Sequence, residues 1–311
     1  MQLKKSKTYK EQVEILKKKG LVVGNDADVI DFLNHVNYYR FSGYFLPFIS
    51  QSDKKFHDKT SFEKLKNIYY FDSELRKLLM GTIDEIEIYL KSQISYYHSQ
   101  KYGAEGYTDG VNYNAKHNHG AFMQRVSACI AENQRTLVVK HHMSNYGGHF
   151  PIWVLIEYFS IGMLSYFYRD LPNNDKAAIA KDTYGVSYQV LDSWFRCITD
   201  IRNKCAHYSR LYYWIFTALP KMPQGETYVP TRRLFAQLYM LKLMYPDQKR
   251  WNENFVKPLS KLMRKYKDDI DKAHIDFPYK WKSRMMRKRT DNGCSNDFSP
   301  ISQIISMFRF R

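Results

Sequence analysis

Paired cysteines, alternating strand patterns, long apolar runs and acidic residues are all scarce in this 311-residue sequence. Its four cysteines stand at positions 129, 197, 205 and 294, and no Cys-x-x-Cys pair occurs. Cys197 and Cys205 are ~12 Å apart along one predicted helix, which exceeds the reach of a disulfide. We therefore expect reduced thiols and a cytoplasmic protein. The Lys-rich residues 1–19 hold no apolar run long enough for a signal peptide.

One apolar stretch is long enough that it could be a membrane-spanning helix. Residues 151–168 are mostly apolar, but Glu157 stands near their middle. An acidic residue at a bilayer centre costs about 2.5–3.5 kcal/mol, and this length is at the lower limit for spanning. The sequence therefore predicts no membrane span. It predicts a core helix in which Glu157 is buried and needs a partner.

The shortage of acidic residues leaves a strong positive charge. Lys and Arg number 48 against 31 Asp and Glu, which gives +17. Such an excess favours a polyanionic partner, either nucleic acid or an anionic membrane surface. Tyr and Phe are abundant, at 26 and 19 residues. Most of these rings are expected in the core, and a few exposed ones would suit stacking on single-stranded RNA.

The lack of strand patterns, together with helical spacing of apolar residues, predicts an all-α fold. We expect a helical bundle with an N-terminal helical extension and additional C-terminal helices. The predicted regions are 1–60 (N-terminal helices), 61–215 (helical core), 216–279 (C-terminal helices) and 280–311 (basic tail). The predicted helices cover 7–19, 26–40, 61–100, 119–144, 151–168, a short segment up to 182, a helix from 187, and then 231–245 and 251–273.

The helix that starts near Ser187 carries the most informative segment, Arg202-Asn203-Lys204-Cys205-Ala206-His207. Arg offers a planar fork of donors that matches a phosphate, and His can take or give a proton near neutral pH. At 100° per residue, Asn203 and His207 share the polar face. The opposite face, which should enter the core, consists of Val190, Trp194, Cys197, Ile198, Ile201 and Cys205.

Further basic and aromatic residues are candidates for RNA contact. Two lie near the start of the chain, four lie on or just after the motif helix, and six lie in a basic run near the C-terminus. In chain order they are Tyr38, Arg40, Arg196, Lys204, Tyr208, Arg210, Lys280, Lys282, Arg284, Arg287, Lys288 and Arg289. A solvated tail is the ordinary interpretation of the basic run.

Three segments resemble the Abi-like abortive-infection family of the AbiD/AbiF type, whose C-terminal part resembles the HEPN RNase superfamily. These segments are Asn34–Tyr44, Pro151–Gly162 and Trp194–Tyr212. The segment Ile275–Pro278 resembles the end of the family unit. The resemblance therefore covers about residues 5–285, and the chain after that departs from the family pattern.

The resemblance implies a HEPN-like helical core with R-x-x-x-x-H as its endoribonuclease centre. His207 would be the general acid or base, Arg202 would stabilise phosphoryl charge, and Asn203 would orient phosphate or imidazole. Glu157 is a candidate partner for Arg202, although backbone or Tyr groups would satisfy it equally well. HEPN enzymes generally pair two motifs, so the single copy here implies a homodimer. Some members are similar to phage-defence toxins that a partner RNA keeps silent.

Other functions remain open at this point. We predict no cofactor and no metal site, because the histidines at 117, 119, 141, 142 and 149 have no cysteine near them to complete a zinc set. The carboxylates at 84, 85 and 87 do not all share one helix face. A non-catalytic RNA-binding protein that forms an RNA-held assembly would use the same charge and rings. A DNA-binding regulator is less favoured, since no helix-turn-helix stands out.

Overall fold

The longest element is a 41-residue helix, Phe62–Tyr102, against which helices from the middle and C-terminal parts of the chain pack. The structure is a computed structural model that describes residues 5–286, and within this range all regular elements are helical, apart from two isolated β-bridges. The predicted all-α class is confirmed. The α-helices are α1 Tyr9–Lys18, α2 Asp26–His35, α3 Tyr38–Ser42, α4 Phe62–Tyr102, α5 His119–Glu132, α6 Leu137–Asn145, α7 Ile152–Leu155, α8 Ile161–Asp170, α9 Asn173–Tyr184, α10 Tyr188–Ala206, α11 Leu234–Met244, α12 Gln248–Trp251, α13 Lys257–Lys265 and α14 Trp281–Met285.

Shorter turns connect these helices. A π-helical turn joins α12 to α13, where the sequence predicted one continuous helix over 251–273. The connection between α4 and α5 holds two single 3₁₀ turns. The five 3₁₀ segments are Gly43–Phe48, Gly106–Thr108, Gly110–Asn112, Ile156–Tyr158 and Lys272–Ile275, and the π-helical turn is Asn252–Val256.

The apolar stripe of α4 forms the centre of the core. Ser61 caps its start by accepting a hydrogen bond from the backbone N–H of Lys64, and Gly103, with φ of +81°, ends it. These bounds agree with the predicted helix over 61–100. This stripe is fully buried at Leu75, Leu79, Ile83, Ile86, Leu90 and Ile94.

Three predicted helices are each divided, and a polar residue caps the start of the helix after each break. Asn37 accepts from the backbone N–H of Tyr39 and starts α3. Thr136 caps α6 in the same way. Ser160 accepts from the N–H of Met163 and starts α8, so residues 151–168 form two helices and a 3₁₀ turn. These side chains satisfy N–H groups that a helix leaves free at its start. Among residues 5–286, no helix meets the length and hydropathy needed to span a bilayer.

One hydrophobic cluster runs from Val13 near the start to Met285 in α14. It draws residues from each of the predicted regions that the structure describes. α4 contacts α9 and α10 as well as α11 and α13, so the C-terminal helices pack on the same central helix as the motif helix. The division of the chain at 60, 215 and 279 stays a prediction.

The cysteines that the structure describes are free thiols, as the spacing predicted. Cys197 and Cys205 are buried on the core face of α10. Burial raises the pKa of each thiol to about 12. Both groups are therefore protonated, inert core side chains at neutral pH. Cys294 lies outside the described residues.

A fully buried histidine on α4 makes the stability of this fold depend on pH. His98 packs against the rings of Tyr102 and Phe167, and neither ring nitrogen has a hydrogen-bond partner among residues 5–286. Burial lowers the pKa of His98 from 6.5 to about 4. The folded protein therefore holds His98 neutral at pH values where the unfolded chain binds a proton.

We expect the free energy of unfolding to fall as pH drops from about 6.5 towards 4. The contribution of His98 to this loss is ~2 kcal/mol between pH 7 and pH 5, by linkage. Urea denaturation of His98→Phe should show less loss over this range than the unsubstituted protein. The exposed His57 provides the control substitution, His57→Phe, which should leave the pH dependence unchanged. Equal pH dependence in all three proteins would contradict the assignment.

Candidate active site on the motif helix

α10 presents the R-x-x-x-x-H motif at its C-terminal end, with its other face anchored in the core. All six residues predicted for that face are buried. Asn203 and His207 are exposed on the opposite side, and Arg202 is half-buried at the border. The Arg202 guanidinium lies 3.5 Å from the side-chain oxygen of Asn203. Within residues 5–286, no carboxylate pairs with Arg202 and no side chain hydrogen-bonds to the imidazole of His207. These groups are therefore available to a ligand.

The chain leaves α10 through a tight turn at Tyr208. The N–H of Tyr208 donates to the carbonyl of Cys205, and that of Ser209 donates to the carbonyl of Lys204. This pairing is the Schellman motif, in which the residue after the cap is usually glycine. Tyr208 occupies that position with φ of +55°. A left-handed conformation costs a non-glycine residue roughly 1–2 kcal/mol, yet the Tyr208 side chain is 68% exposed. A strained backbone conformation at a residue with an exposed side chain is typical of a functional position.

We expect Tyr208→Gly to weaken RNA binding without destabilising the protein. Glycine relieves the strain at this φ, so the free energy of unfolding should stay level or rise by up to ~1 kcal/mol. The loss of a stacking ring should weaken binding of single-stranded RNA by about 1–3 kcal/mol. Fluorescence anisotropy with a labelled RNA measures the second effect. Tyr208→Asn, which also tolerates this φ, is the matched control for loss of the ring. Unchanged affinity in both variants would mean that the ring does not contact RNA.

A buried carboxylate on α4 holds the segment that follows the motif. Asp72 is fully buried, and it accepts hydrogen bonds from the backbone N–H groups of Leu211 (3.1 Å) and Tyr212 (2.8 Å). The hydroxyl of Tyr44 also donates to it, at 2.7 Å. Asp72 pairs with Arg76 one turn along α4. Buried charges are stable only when paired and hydrogen-bonded in this way.

Two arginines hold the carbonyl groups of the same segment. Arg76 donates to the carbonyl of Ser209 at 3.2 Å. Arg40, on α3, donates to the carbonyl of Tyr208. The turn after His207 is therefore fixed by charged groups from α3 and α4. This arrangement limits the positions that the imidazole can take.

Several residues predicted to contact RNA have partners within the chain. Lys204 lies 3.4 Å from the carboxylate of Asp200 and 4.1 Å from the ring centroid of Trp214. Tyr38 is half-buried with its ring edge on Phe45. Arg40 is half-buried and bonded to the motif turn. For Tyr38, Arg40 and Lys204, the structure supports roles in packing and in holding the site.

The prediction that Glu157 is buried is wrong. Glu157 is exposed in the 3₁₀ turn between α7 and α8, because the break at Ser160 removes the continuous core helix that would have buried it. It forms no ion pair with Arg202, and its backbone carbonyl accepts from Lys91 at 3.0 Å. A role for Glu157 as partner of Arg202 has no support in this geometry.

The remaining predicted contacts differ in their placement. Arg196 is exposed on the polar face of α10, 11 residues before His207. Lys280, Lys282 and Arg284 are exposed just before and within α14. Arg287, Lys288 and Arg289 lie outside the described residues. Of these candidates, the structure therefore describes one exposed cation on the motif helix and half of the predicted basic run.

Two guanidinium groups near the motif have unpaired donors. Arg210 lies with its guanidinium carbon 5.9 Å from the ring of Trp214, and burial lowers its pKa. Arg233, just before α11, lies 4.6 Å from the ring of Tyr213. One buried Nη1 atom of each arginine has no hydrogen-bond acceptor among residues 5–286, and neither arginine pairs with a carboxylate there. Both side chains are half-buried, and the guanidinium fork matches the geometry of a phosphate. Sequence reasoning missed Arg233, for which the Arg232-Arg233 pair was the only signal.

The histidines predicted not to form a zinc site are hydrogen-bonded to other groups. His117 contacts Asp170 at 3.1 Å and His119 at 3.3 Å. His149 pairs with Glu105 on an exposed surface. In the described part of the chain, no group of three or more His, Cys, Asp or Glu side chains is arranged to hold a metal ion.

The chain matches the family model described as Abi-like protein over residues 31–213, more than half of its length. The protein therefore belongs to the Abi-like family. The match includes the segments Asn34–Tyr44, Pro151–Gly162 and Trp194–Tyr212, while Ile275–Pro278 lies outside it. Comparison with curated proteins and with solved structures found no match.

Proposed function

We propose that this protein is a metal-independent endoribonuclease of the HEPN type that acts in abortive infection. The observation that carries the proposal is that a guanidinium and an imidazole stand at the same end of one anchored helix. Arg202 and His207 have no acidic partner among residues 5–286, while the turn beside them is fixed through Asp72. Rigid support around unpaired polar groups is how a reactive site is built. Membership of the Abi-like family supports the role in phage defence.

The proposed reaction is attack of a ribose 2′-oxygen on the adjacent phosphorus. The 2′-oxygen to phosphorus bond forms as the bond to the 5′-oxygen breaks. A base takes the proton of the 2′-hydroxyl, an acid gives a proton to the leaving 5′-oxygen, and His207 is suited to either role. Arg202 stabilises charge on the phosphoryl oxygens. The products are a 2′,3′-cyclic phosphate and a free 5′-hydroxyl.

Two copies of the motif would supply both proton-transfer groups. The described residues contain one R-x-x-x-x-H segment, so the second His207 comes from another copy of the chain in a homodimer. One imidazole then acts as base and the other as acid. The surface that holds the substrate would also hold a regulatory RNA, which would silence the enzyme until that RNA is displaced.

The flanking cations supply the affinity for the RNA backbone. Arg196, Arg210 and Arg233 all lack carboxylate partners among the described residues. Such groups neutralise phosphates along a bound strand.

The direct test is cleavage of an RNA in which a single nucleotide is 2′-deoxy at the main cutting site. We expect purified protein to cut the all-ribose strand in excess chelator and to leave the modified position intact. Mass spectrometry should find a cyclic phosphate on the 5′ product. Cleavage at the deoxy position, or dependence on added metal, would contradict the mechanism. RNA that binds and stays intact would favour the alternative, a non-catalytic RNA-held assembly.

A further inference from the structure

A cleft of about 610 Å³ lies along α10 before the motif and has no part in the reaction described above. It is bounded by α8, by the N-terminal two thirds of α10 and by residues 217–219. Six side chains and backbone positions define its chemistry: Gly162, Tyr166, Arg169, Arg196, Thr199 and Asp200.

The cleft continues the polar face that carries the motif. Arg196, Asp200, Asn203 and His207 follow one another at intervals of three or four residues along α10. At 100° per residue they lie within ~60° of one another around the axis, and they span ~16 Å along it. A strand held at His207 that extends towards the start of α10 therefore enters the cleft.

An exposed ring forms one wall. Tyr166 is 47% exposed, and the guanidinium carbons of Arg169 and Arg125 lie 4.5 and 5.4 Å from its centroid. Aromatic faces of this kind stack with nucleobases, and the nearby cations suit the attached phosphate. Gly162, one turn earlier on α8, leaves space in front of this wall. A Cβ atom there would meet only the Ser160 hydroxyl, at 3.7 Å.

Two polar side chains of α10 that line the cleft have atoms without a hydrogen-bond partner in the described part of the chain. The Asp200 Oδ2 and Thr199 Oγ1 atoms are buried and have no hydrogen-bond partner among residues 5–286. The other carboxylate oxygen of Asp200 faces Lys204 at 3.4 Å. A carboxylate accepts hydrogen bonds and cannot donate them. It therefore favours a base edge with adjacent N–H donors. Guanine has two adjacent N–H donors on one edge, whereas uracil has one N–H between two acceptors.

We propose that this cleft is a base-specific subsite of the proposed endoribonuclease and that it selects guanine next to the cleavage position. Tyr166 stacks on the base, Asp200 accepts from its N–H edge, and Arg196 holds the phosphate. The inference rests on the proposed function for its substrate class, RNA. Beyond the proposed function, it specifies the base next to which the RNA would be cut.

Calorimetric titration with the four nucleoside 5′-monophosphates tests the subsite without any cleavage step. We expect GMP to bind about tenfold more tightly than UMP, as one paired base edge allows. Asp200→Asn should reduce this preference to about twofold or less. Thr199→Val is the second variant for the same wall, and it should weaken GMP binding with little effect on UMP.

A second substitution fills the cleft without touching the motif. Gly162→Leu should weaken binding of all four nucleotides. Gly81→Leu, at an exposed and open position of α4, is the matched control and should bind as the unsubstituted protein does. Equal affinity for GMP and UMP, no binding of any nucleotide, or a preference that survives Asp200→Asn would each overturn the subsite.

Parallel cleavage assays separate the two proposals. Guanine preference in binding with no RNA cleavage would reject the endoribonuclease and keep the subsite. Cleavage that proceeds equally beside all four bases would keep the enzyme and reject the subsite.

Discussion

Replacing His207 by alanine should lower the rate of RNA cleavage by about 10²–10⁴-fold, the usual contribution of a general acid or base. Arg202→Ala should lower it by about 10²–10³-fold, because charge on the phosphoryl oxygens loses its stabilising guanidinium. The free energy of unfolding should change by less than ~0.5 kcal/mol for His207→Ala, since its exposed side chain has no partner in the described region. RNA affinity should remain for both variants. Single-turnover cleavage and anisotropy measure the two properties separately.

The chain offers matched controls for both substitutions. His57 and Arg135 are exposed and distant in sequence from the motif. His57→Ala and Arg135→Ala should cleave at the normal rate. Full activity in either motif variant would reject the assigned roles.

Mixing experiments test whether two motifs act together. When a growing excess of His207→Ala is equilibrated with unsubstituted protein, a composite site loses activity in every mixed dimer. Activity should then fall more steeply than the fraction of unsubstituted chains. A linear fall would mean that each chain carries a complete site.

Substitution of Asp72 should have the largest effect on stability. Asp72→Ala should lower the free energy of unfolding by about 3–5 kcal/mol, because it leaves the buried Arg76 guanidinium without its charge partner. It also removes the acceptor for the N–H groups of Leu211 and Tyr212. Urea denaturation measures the loss. Asp84→Asn provides the control, since Asp84 is exposed on the same helix. A loss below ~1 kcal/mol would show that the buried pair does not hold this region.

A milder change separates stability from positioning. Asp72→Asn keeps the shape but cannot accept all the bonds that the carboxylate accepts. We expect its cleavage rate at saturating RNA to fall while its KM changes little, because the turn after His207 loses its fixed position. A variant that is only less stable would regain the full rate at lower temperature.

Periodicity was enough to predict the motif helix. Trp194, Ile198 and Ile201 repeat at three- and four-residue intervals, and burial of that stripe leaves Asn203 and His207 on the outside. The buried stripe of α4 repeats at the same intervals. Local spacing determines such faces because each residue's direction is fixed by the helix itself.

The spacing of apolar residues does not predict the hydrogen bonds that hold the turn after the motif. Asp72 meets Leu211 across 139 positions of the chain, and its neighbours in sequence give no indication of that contact. Arg40 was assigned to RNA, yet it bonds to the backbone of Tyr208. The helix breaks at Asn37, Thr136 and Ser160 were missed for another reason. A capping side chain competes with helix continuation through one local hydrogen bond, which apolar periodicity does not reveal.

The bonds from Arg40 and Tyr44 also bear on where this chain can be cut. The predicted core over 61–215 contains the motif but begins after both residues. A fragment with those boundaries would keep the imidazole and lose two donors that brace its exit loop, one directly and one through Asp72. Truncation for expression or for toxicity mapping should therefore start upstream of α3. A fragment that starts at 61 and shows no activity would therefore not test the function proposed for the intact protein.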